Sequence, residues 1–414
     1  MKVYLSNPYG TIPGEDWREY RFYLLAKSLE SEGHEVVWFT STFSHHFKRE
    51  RSNKSKIISI SDNLKIHLIK SRPYKNNFSF GRIFRDLTYG INLMKTLKKD
   101  YTKPDLFFVG DSPVLFYFPS YWYCKNNRIP YIVDQMDLWP ELIVNSFSKI
   151  YRPLVNLFCA PIYIVRKKVF DNCVGFISLA KKYLDIPISI SNNILEKPHA
   201  VIYNGIDVDE FRAQMGIIDS YIDTKLGKKN ENEIWFIFAG TLGPSYDIKT
   251  ILEGFLILNN IKCRLIIAGD GSERVYVETF IKKNKLDNVK YIGKISKESL
   301  PYLYSKCDVG LNSYGAFSNV EMSDKFYDYT AAGLVVLNSL KGEVMYYVDE
   351  YNIGYNYQAS NVESFLNKLQ LILNGGNIDL IKKKSFQLGS SFDQKTQLDN
   401  FLQFTKLVNK NLNP

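Results

Sequence analysis

A chain of 414 residues is long enough for two lobes, each with a core of its own. Hydrophobic residues make up 45% and charged residues 23%, a globular balance that excludes long disorder, and no apolar run of about 18 residues is present to span a bilayer. The net charge of +10 is one-sided: residues 1–200 hold 29 Lys and Arg against 18 Asp and Glu, while residues 201–414 hold 24 against 25. A basic first half implies an anionic partner (nucleic acid, an anionic lipid surface or a phosphate-bearing substrate) or else a solvated basic face. The five cysteines are scattered singly, which argues against a disulfide framework or a zinc site and for a reducing cytoplasm. The N-terminal residues enter a strand at once, without a signal-peptide layout.

Lys2–Ser6 reads as a strand and residues 7–14 as a loop of turn residues. Asp16 is expected to open an amphipathic helix through Leu29, and 36–39 is the next buried strand. This is the first crossover of a doubly wound sheet. Gly14 either lets the backbone approach a ligand or is an ordinary turn glycine. In the basic loop 44–56, the adjacent His45 and His46 point apart on any regular backbone and are unsuited to chelating one metal. A basic helix is expected over 82–99, and a strand over 104–109 runs into Gly110-Asp111. The strand at 131–133 feeds Asp134-Gln135-Met136-Asp137-Leu138-Trp139-Pro140-Glu141. Asp137 is a contact for a reacting group or a turn aspartate. Residues 149–169 have an apolar, aromatic middle and basic ends, as in a membrane-surface segment or in a core helix kinked at Pro161. Asp207-Val208-Asp209 has D-x-D spacing but falls in the hinge, where a metal role is discounted.

After a polar linker at 216–233, the strand Ile234–Phe238 enters a glycine-bearing turn, 239–247, ahead of a helix. Such a turn can cradle phosphate, because free amides and the positive helix end favour an anion. Strands at 264–268, 289–293 and 307–311 follow, the first ending in Gly269-Asp270-Gly271-Ser272. Residues 323–333 form a helix with a polar start and a glycine end, running straight into the buried strand 334–337. Lys325 and Asp328, three apart, share a helix face. They could hold a phosphate and a sugar hydroxyl of one nucleotide, or form a surface ion pair.

Lys-Phe-Tyr-Asp-Tyr-Thr-Ala-Ala-Gly, residues 325–333, resembles the donor-site helix of glycosyltransferase family 4. The order of elements through 264–312 is similar to that family's donor lobe, the segment at 7–21 followed by 38–45 resembles the N-terminal end of a bacterial surface-polysaccharide subgroup, and 134–141 resembles the family's acceptor-side loop. The resemblance implies an α/β GT-B fold, two Rossmann-like lobes facing across a cleft. Residues 1–204 would take the acceptor, with a tail from about 395 packing back on them, and 205–394 would take the nucleotide-sugar. It implies retaining transfer of a hexosyl or N-acetylhexosaminyl group, most readily from a UDP-sugar, to a glycan or polyprenyl-diphosphate-linked acceptor. No metal or other cofactor and no nucleic acid is expected. The setting would be cytoplasmic, on the inner face of the plasma membrane.

On the donor side the resemblance points to Gly14, Thr241, Leu242, Gly243, Tyr246, Gly271, Ile295, Glu321, Lys325 and Asp328, with Asp328 on the ribose. Glu321 lies one residue from the family's earlier glutamate position, which falls on Val320. On the acceptor side it points to Glu15, His46, Asp111, Asp137 and Trp139, with Asp137 and Lys325 as catalytic residues. The family mechanism needs no protein nucleophile: the departing diphosphate takes the acceptor's proton while the protein stabilises its charge. Thr241 and Tyr246 stand where the family pattern carries Arg and Lys, so Lys325 is expected to replace the missing cation. The alternatives are a sugar-nucleotide epimerase of the same fold and a non-catalytic protein binding nucleic acid or an anionic surface.

Overall fold

In the computed structural model, residues 1–15, 18–75, 79–111, 114–191, 193–258, 262–375 and 377–412 are described. The chain divides into two compact units, Met1–Tyr203 with Leu398–Pro414, and Asn204–Gln397.

The first unit is built on an eight-stranded sheet. From one edge its strands are His199–Val201, Gly175–Ser178, Tyr131–Gln135, Leu106–Gly110, Lys2–Ser6, Glu35–Ser41, Leu64–Ile69 and Lys56–Ser59. Only the last pair is antiparallel, at the edge. The central strands are continuous apolar runs, as a parallel sheet covered on both faces requires: Val3–Leu5, Val36–Phe39 and Leu106–Val109 are all buried. On one face they meet aromatics of the helices Phe80–Asp100, Val114–Asn127 and Arg152–Asn172. On the other they meet the helix Arg21–Ser31 and also Phe401, Phe404 and Val408 from the helix Gln394–Leu412. The order of the strands reverses between Lys2–Ser6 and Leu106–Gly110, which run parallel, and the carboxyl ends there form the crevice where such sheets bind ligands.

The expected helix 16–29 begins at Arg21, and its expected first residue, Asp16, lies outside the described residues. The delay has a tertiary cause. Tyr20, still extended, lays its ring over Gly10, where a Cβ would come within 2.0 Å, and stacks on Phe22 and Trp38. The segment around Pro161 lies within one helix, Arg152–Asn172. Only Cys159, Arg166, Val169 and Phe170 of that helix are buried, and Leu154, Leu157, Phe158 and Ile164 face outward.

The second unit is a six-stranded, wholly parallel sheet in the order Val289–Gly293, Cys263–Ala268, Ile234–Ala239, Val309–Asn312, Val335–Asn338, Gly354–Asn356. Its order reverses beside Ile234–Ala239, so the turn after that strand sits at the switch point. Among the described residues, no helix is long and apolar enough to cross a membrane and no metal-binding cluster is present.

Candidate functional site

In the first unit, the loop after Tyr131–Gln135 is fixed at both ends by arginines. Arg21 grips Asp134 through two bonds of 2.8 and 3.1 Å and donates to the Ile202 carbonyl. Arg166 grips Glu141 at 2.8 and 2.6 Å and donates to the Trp139 carbonyl. Between these clamps Asp137 reaches solvent. Desolvation pushes its carboxyl up to about 6, against the pull of Arg82 and Trp139. Asp111 is buried and accepts the Met136 amide at 2.9 Å, which ties the neighbouring strand end to the same loop. Burial, with Asp137 and Asp134 nearby, raises its carboxyl well above the usual range.

The other first-unit candidates stand apart from this loop. Glu15 forms a paired bridge to Arg51 at 3.0 and 2.7 Å and accepts the Ile12 amide at 3.1 Å. Burial opposes its charge, but these partners win and hold its carboxyl below the usual range. That is an anchor for the loop 10–15. Gly14 needs to be glycine for its φ of +84°, since nothing lies near its Cβ position. His46 is exposed, edge-on to Phe47.

In the second unit, two glycine turns interlock by backbone alone. The Gly240 amide donates to the Ala268 carbonyl at 2.9 Å, Leu242 to Asp270 at 3.0 Å and Glu273 to Leu242 at 3.0 Å. A Cβ on Gly269 would stand 1.8 Å from the Gly240 oxygen, and one on Gly271 2.2 Å from the Leu242 oxygen. Only glycine allows this approach. A Cβ on Gly243 would meet only Ser272 Oγ at 3.8 Å and Thr241 Cγ2 at 3.9 Å, in ordinary contact, and Ile295 is buried after the strand Val289–Gly293.

The helix Asp324–Ala332 starts at Ser323, whose hydroxyl accepts the Phe326 amide at 3.2 Å, and ends at Gly333 with φ +70°. Its first turn carries Lys325, which is 7% exposed and therefore no surface lysine. The Lys325 ammonium lies 3.9 Å from the Tyr246 ring centroid, with Phe238 and Tyr314 at 5.2 and 5.4 Å. A Cβ on Gly240 would stand 2.9 Å from Lys325 Nζ, so the cation rests directly on the glycine turn. Asp328 is also buried and accepts the Tyr304 hydroxyl at 3.4 Å. Glu321 accepts the Glu343 amide at 3.2 Å and fills the space over Gly342, capping the helix Glu343–Glu350.

An asparagine ladder completes this edge. Asn312, Asn338 and Asn356 are in register at the ends of three adjacent strands. Asn312 donates to Asn338 at 2.8 Å and Asn338 to Asn356 at 2.7 Å, while the Ser323 hydroxyl donates to Asn312 at 2.7 Å. Sequence reasoning missed the ladder, although Asn312 and Asn338 each close a buried, apolar strand.

Residues 222–385 match the family model described as Glycosyl transferases group 1. The second unit carries a group 1 glycosyl transferase domain. No curated protein matches the chain by sequence. Among solved structures, sucrose-phosphate synthase from Thermosynechococcus elongatus aligns with TM-score 0.71 at 16% identity, covering 98% of each chain. HepE of Anabaena in complex with UDP aligns at 0.68 and 14%, covering 98% of this chain and 100% of that one. An E. coli trehalose-6-phosphate structure bound with UDP-2-fluoro glucose aligns at 0.69 and 10%, covering 97% and 98%. The fold is GT-B.

Within the group 1 domain, the structure gathers Thr241, Leu242, Gly243, Tyr246, Gly271 and Lys325 at one strand edge. Asp328 sits on the same helix as Lys325, against Tyr304. Asp111, Asp137 and Trp139 share the switch-point edge of the first unit.

Proposed function

We propose that the chain is a retaining glycosyltransferase that moves a sugar from a nucleotide-sugar to a glycan or a polyprenyl-diphosphate-linked acceptor in surface-polysaccharide synthesis. The observation that carries this reading is the buried Lys325 ammonium resting on the Gly240 turn at the switch point of the group 1 domain. A diphosphate over that turn would meet backbone amides, a helix N-terminus and a preorganised cation, all aimed where negative charge grows as the sugar departs. In this reading Asp328 takes the ribose hydroxyls, and Asp137 with Trp139 positions the acceptor. UDP is the favoured nucleotide because HepE was solved with UDP and with UDP-glucose. Neither metal nor cofactor is required, since the lysine and amides supply the positive charge.

The first unit would sit on the inner face of the membrane, close to a lipid-linked acceptor. Phe80, Phe84, Ile91, Leu157 and Phe158 are exposed on two helices that also bear lysines and arginines. The deciding experiment is calorimetry with UDP, followed by product analysis of UDP-sugars with and without acceptor glycans. Absence of UDP binding would overturn the reading, and turnover of UDP-sugar to an epimer without acceptor would replace it.

A further inference from the structure

The helix Phe80–Asp100 opens with two arginines facing into the first unit, and their surroundings are unusual. Arg85 is 0% exposed, and its three guanidinium nitrogens have no hydrogen-bond partner among the described residues. It lies 3.1 Å from the Asp86 carboxylate, and its guanidinium carbon stands 4.1 Å from the Tyr9 ring centroid and 5.4 Å from that of Tyr74. Arg82 lies over the other side of this group, 5.0 Å from Tyr9 and 5.2 Å from Trp139, and donates to the Tyr9 hydroxyl at 3.1 Å. Lys48 adds a third cation, 4.4 Å from the Tyr74 ring.

The ring faces hold the Arg85 guanidinium without consuming its donors, while Arg82 and Lys48 also donate to the Tyr9 and Tyr74 hydroxyls at 3.1 and 3.3 Å. A guanidinium stacked on a ring keeps its N–H groups in its own plane, available to an oxyanion. Charge balance in the cluster is incomplete. Among the described residues, Lys48, Arg82 and Arg85 face two carboxylates: Asp86, whose two oxygens accept the Tyr9 hydroxyl at 3.0 Å, and Asp137, on which Arg82 pulls. Burial raises the Asp86 carboxyl despite Arg85 and Arg82. The surplus is felt nearby: burial and the neighbouring Arg82 and Arg85 lower Lys48 to about 8, and burial with Lys48 and the two arginines keeps His45 neutral. A buried arginine with idle donors is costly to maintain for packing alone.

We propose that Lys48, Arg82 and Arg85 form a phosphoryl-binding site beside Asp137 and Trp139, which takes the phosphate or diphosphate of the acceptor. Arg82 joins the two places, since it lies over the Trp139 ring and pulls on the Asp137 carboxylate. Only the word acceptor rests on the glycosyltransferase reading; the anion site itself stands on the geometry.

The test is calorimetry of the full chain, saturated with UDP so that the donor turn is filled, titrated with inorganic pyrophosphate. Saturable binding is expected, weakened tenfold or more in Lys48→Ala and in Arg82→Ala, with UDP affinity unchanged. Both side chains are part-exposed, so these variants carry the test even if Arg85→Met fails to fold. Repeating the titration with glucose 6-phosphate and with farnesyl diphosphate separates a free sugar phosphate from a prenyl diphosphate, and a preference for either upholds the site. A chain that binds pyrophosphate but not UDP would also uphold it while removing the donor reading. Absence of saturable binding, or binding that both variants leave intact, overturns the proposal.

Discussion

The ammonium of Lys325 lies 3.9 Å from the centre of the Tyr246 ring, in the position where the side chain of any residue but glycine at 240 would stand. Lys325→Ala is expected to lower kcat tenfold or more at saturating donor, because one lost charge-stabilising group typically costs a few kcal/mol in the transition state. Lys325→Arg should recover part of the loss. Turnover unchanged in both variants would show that the charge comes from another group.

Asp328→Ala is expected to weaken UDP binding by about 1.5–3 kcal/mol, the usual worth of hydrogen bonds to a charged acceptor. Because Asp328 is buried on Tyr304, thermal unfolding must be followed in parallel. Undiminished UDP affinity in a folded variant would assign the carboxylate a purely structural task.

The Ser323–Asn312 bond fixes the start of the helix Asp324–Ala332 to the strand ends, so Asn312→Ala should act on stability and, under the proposed function, on donor binding together. Losing a buried hydrogen-bond partner costs about 1–3 kcal/mol. Denaturant unfolding should register that loss, and a larger KM for the donor should accompany it. An unchanged midpoint would mean that Ser323 is held by its other contacts.

Asp137 gives a pH signature. Its folded pKa, about 6, lies above the ordinary carboxylate value, so the folded state binds the extra proton between the two. The Asp137 contribution to stability therefore falls as pH rises through that window. Asp137→Asn should raise the melting temperature at pH 7 relative to the parent, and the gap should close near pH 4. If the carboxylate positions the acceptor, kcat/KM rises through about pH 6 in the parent and is flat there in the variant. Identical profiles would remove Asp137 from the reaction.

Membrane attachment is checked by flotation with anionic and neutral vesicles. Each lysine or arginine near an anionic surface contributes about 1 kcal/mol, so binding should be strong to anionic vesicles and fall with salt. Replacing Phe84 and Phe158 by serine should weaken it without lowering solubility. Equal recovery of the parent with both kinds of vesicle, or with neither, would count against an electrostatic surface.

What was legible in the sequence followed from local chemistry. The helix closed at Gly333 and the turns at Gly240 and Gly269 depend on the backbone freedom of single residues, so their letters announce them. The family resemblance at 325–333 and the domain match across 222–385 point to the same lobe. What was not legible depends on partners far along the chain. The start of the first helix is set by Tyr20 on Gly10 and by Arg21 on Asp134. The role of Glu321 is set by Gly342, the asparagine ladder by strand register, and the idle donors of Arg85 by Tyr9 and Tyr74. Composition showed only that the region was basic.

The placement of Phe401, Phe404 and Val408 among Leu5, Phe22 and Phe108 bears on how the molecule is made. These three side chains are synthesised after the whole of residues 204–397, so a nascent chain carrying only 1–203 lacks part of one face of its core. Co-translational folding of that unit has to wait, with Phe108 and Ile177 uncovered, until its last helix leaves the ribosome. A fragment cut at 203 should therefore be insoluble, while a circular permutant joining 398–412 ahead of Met1 through a flexible linker should let the unit fold as it emerges.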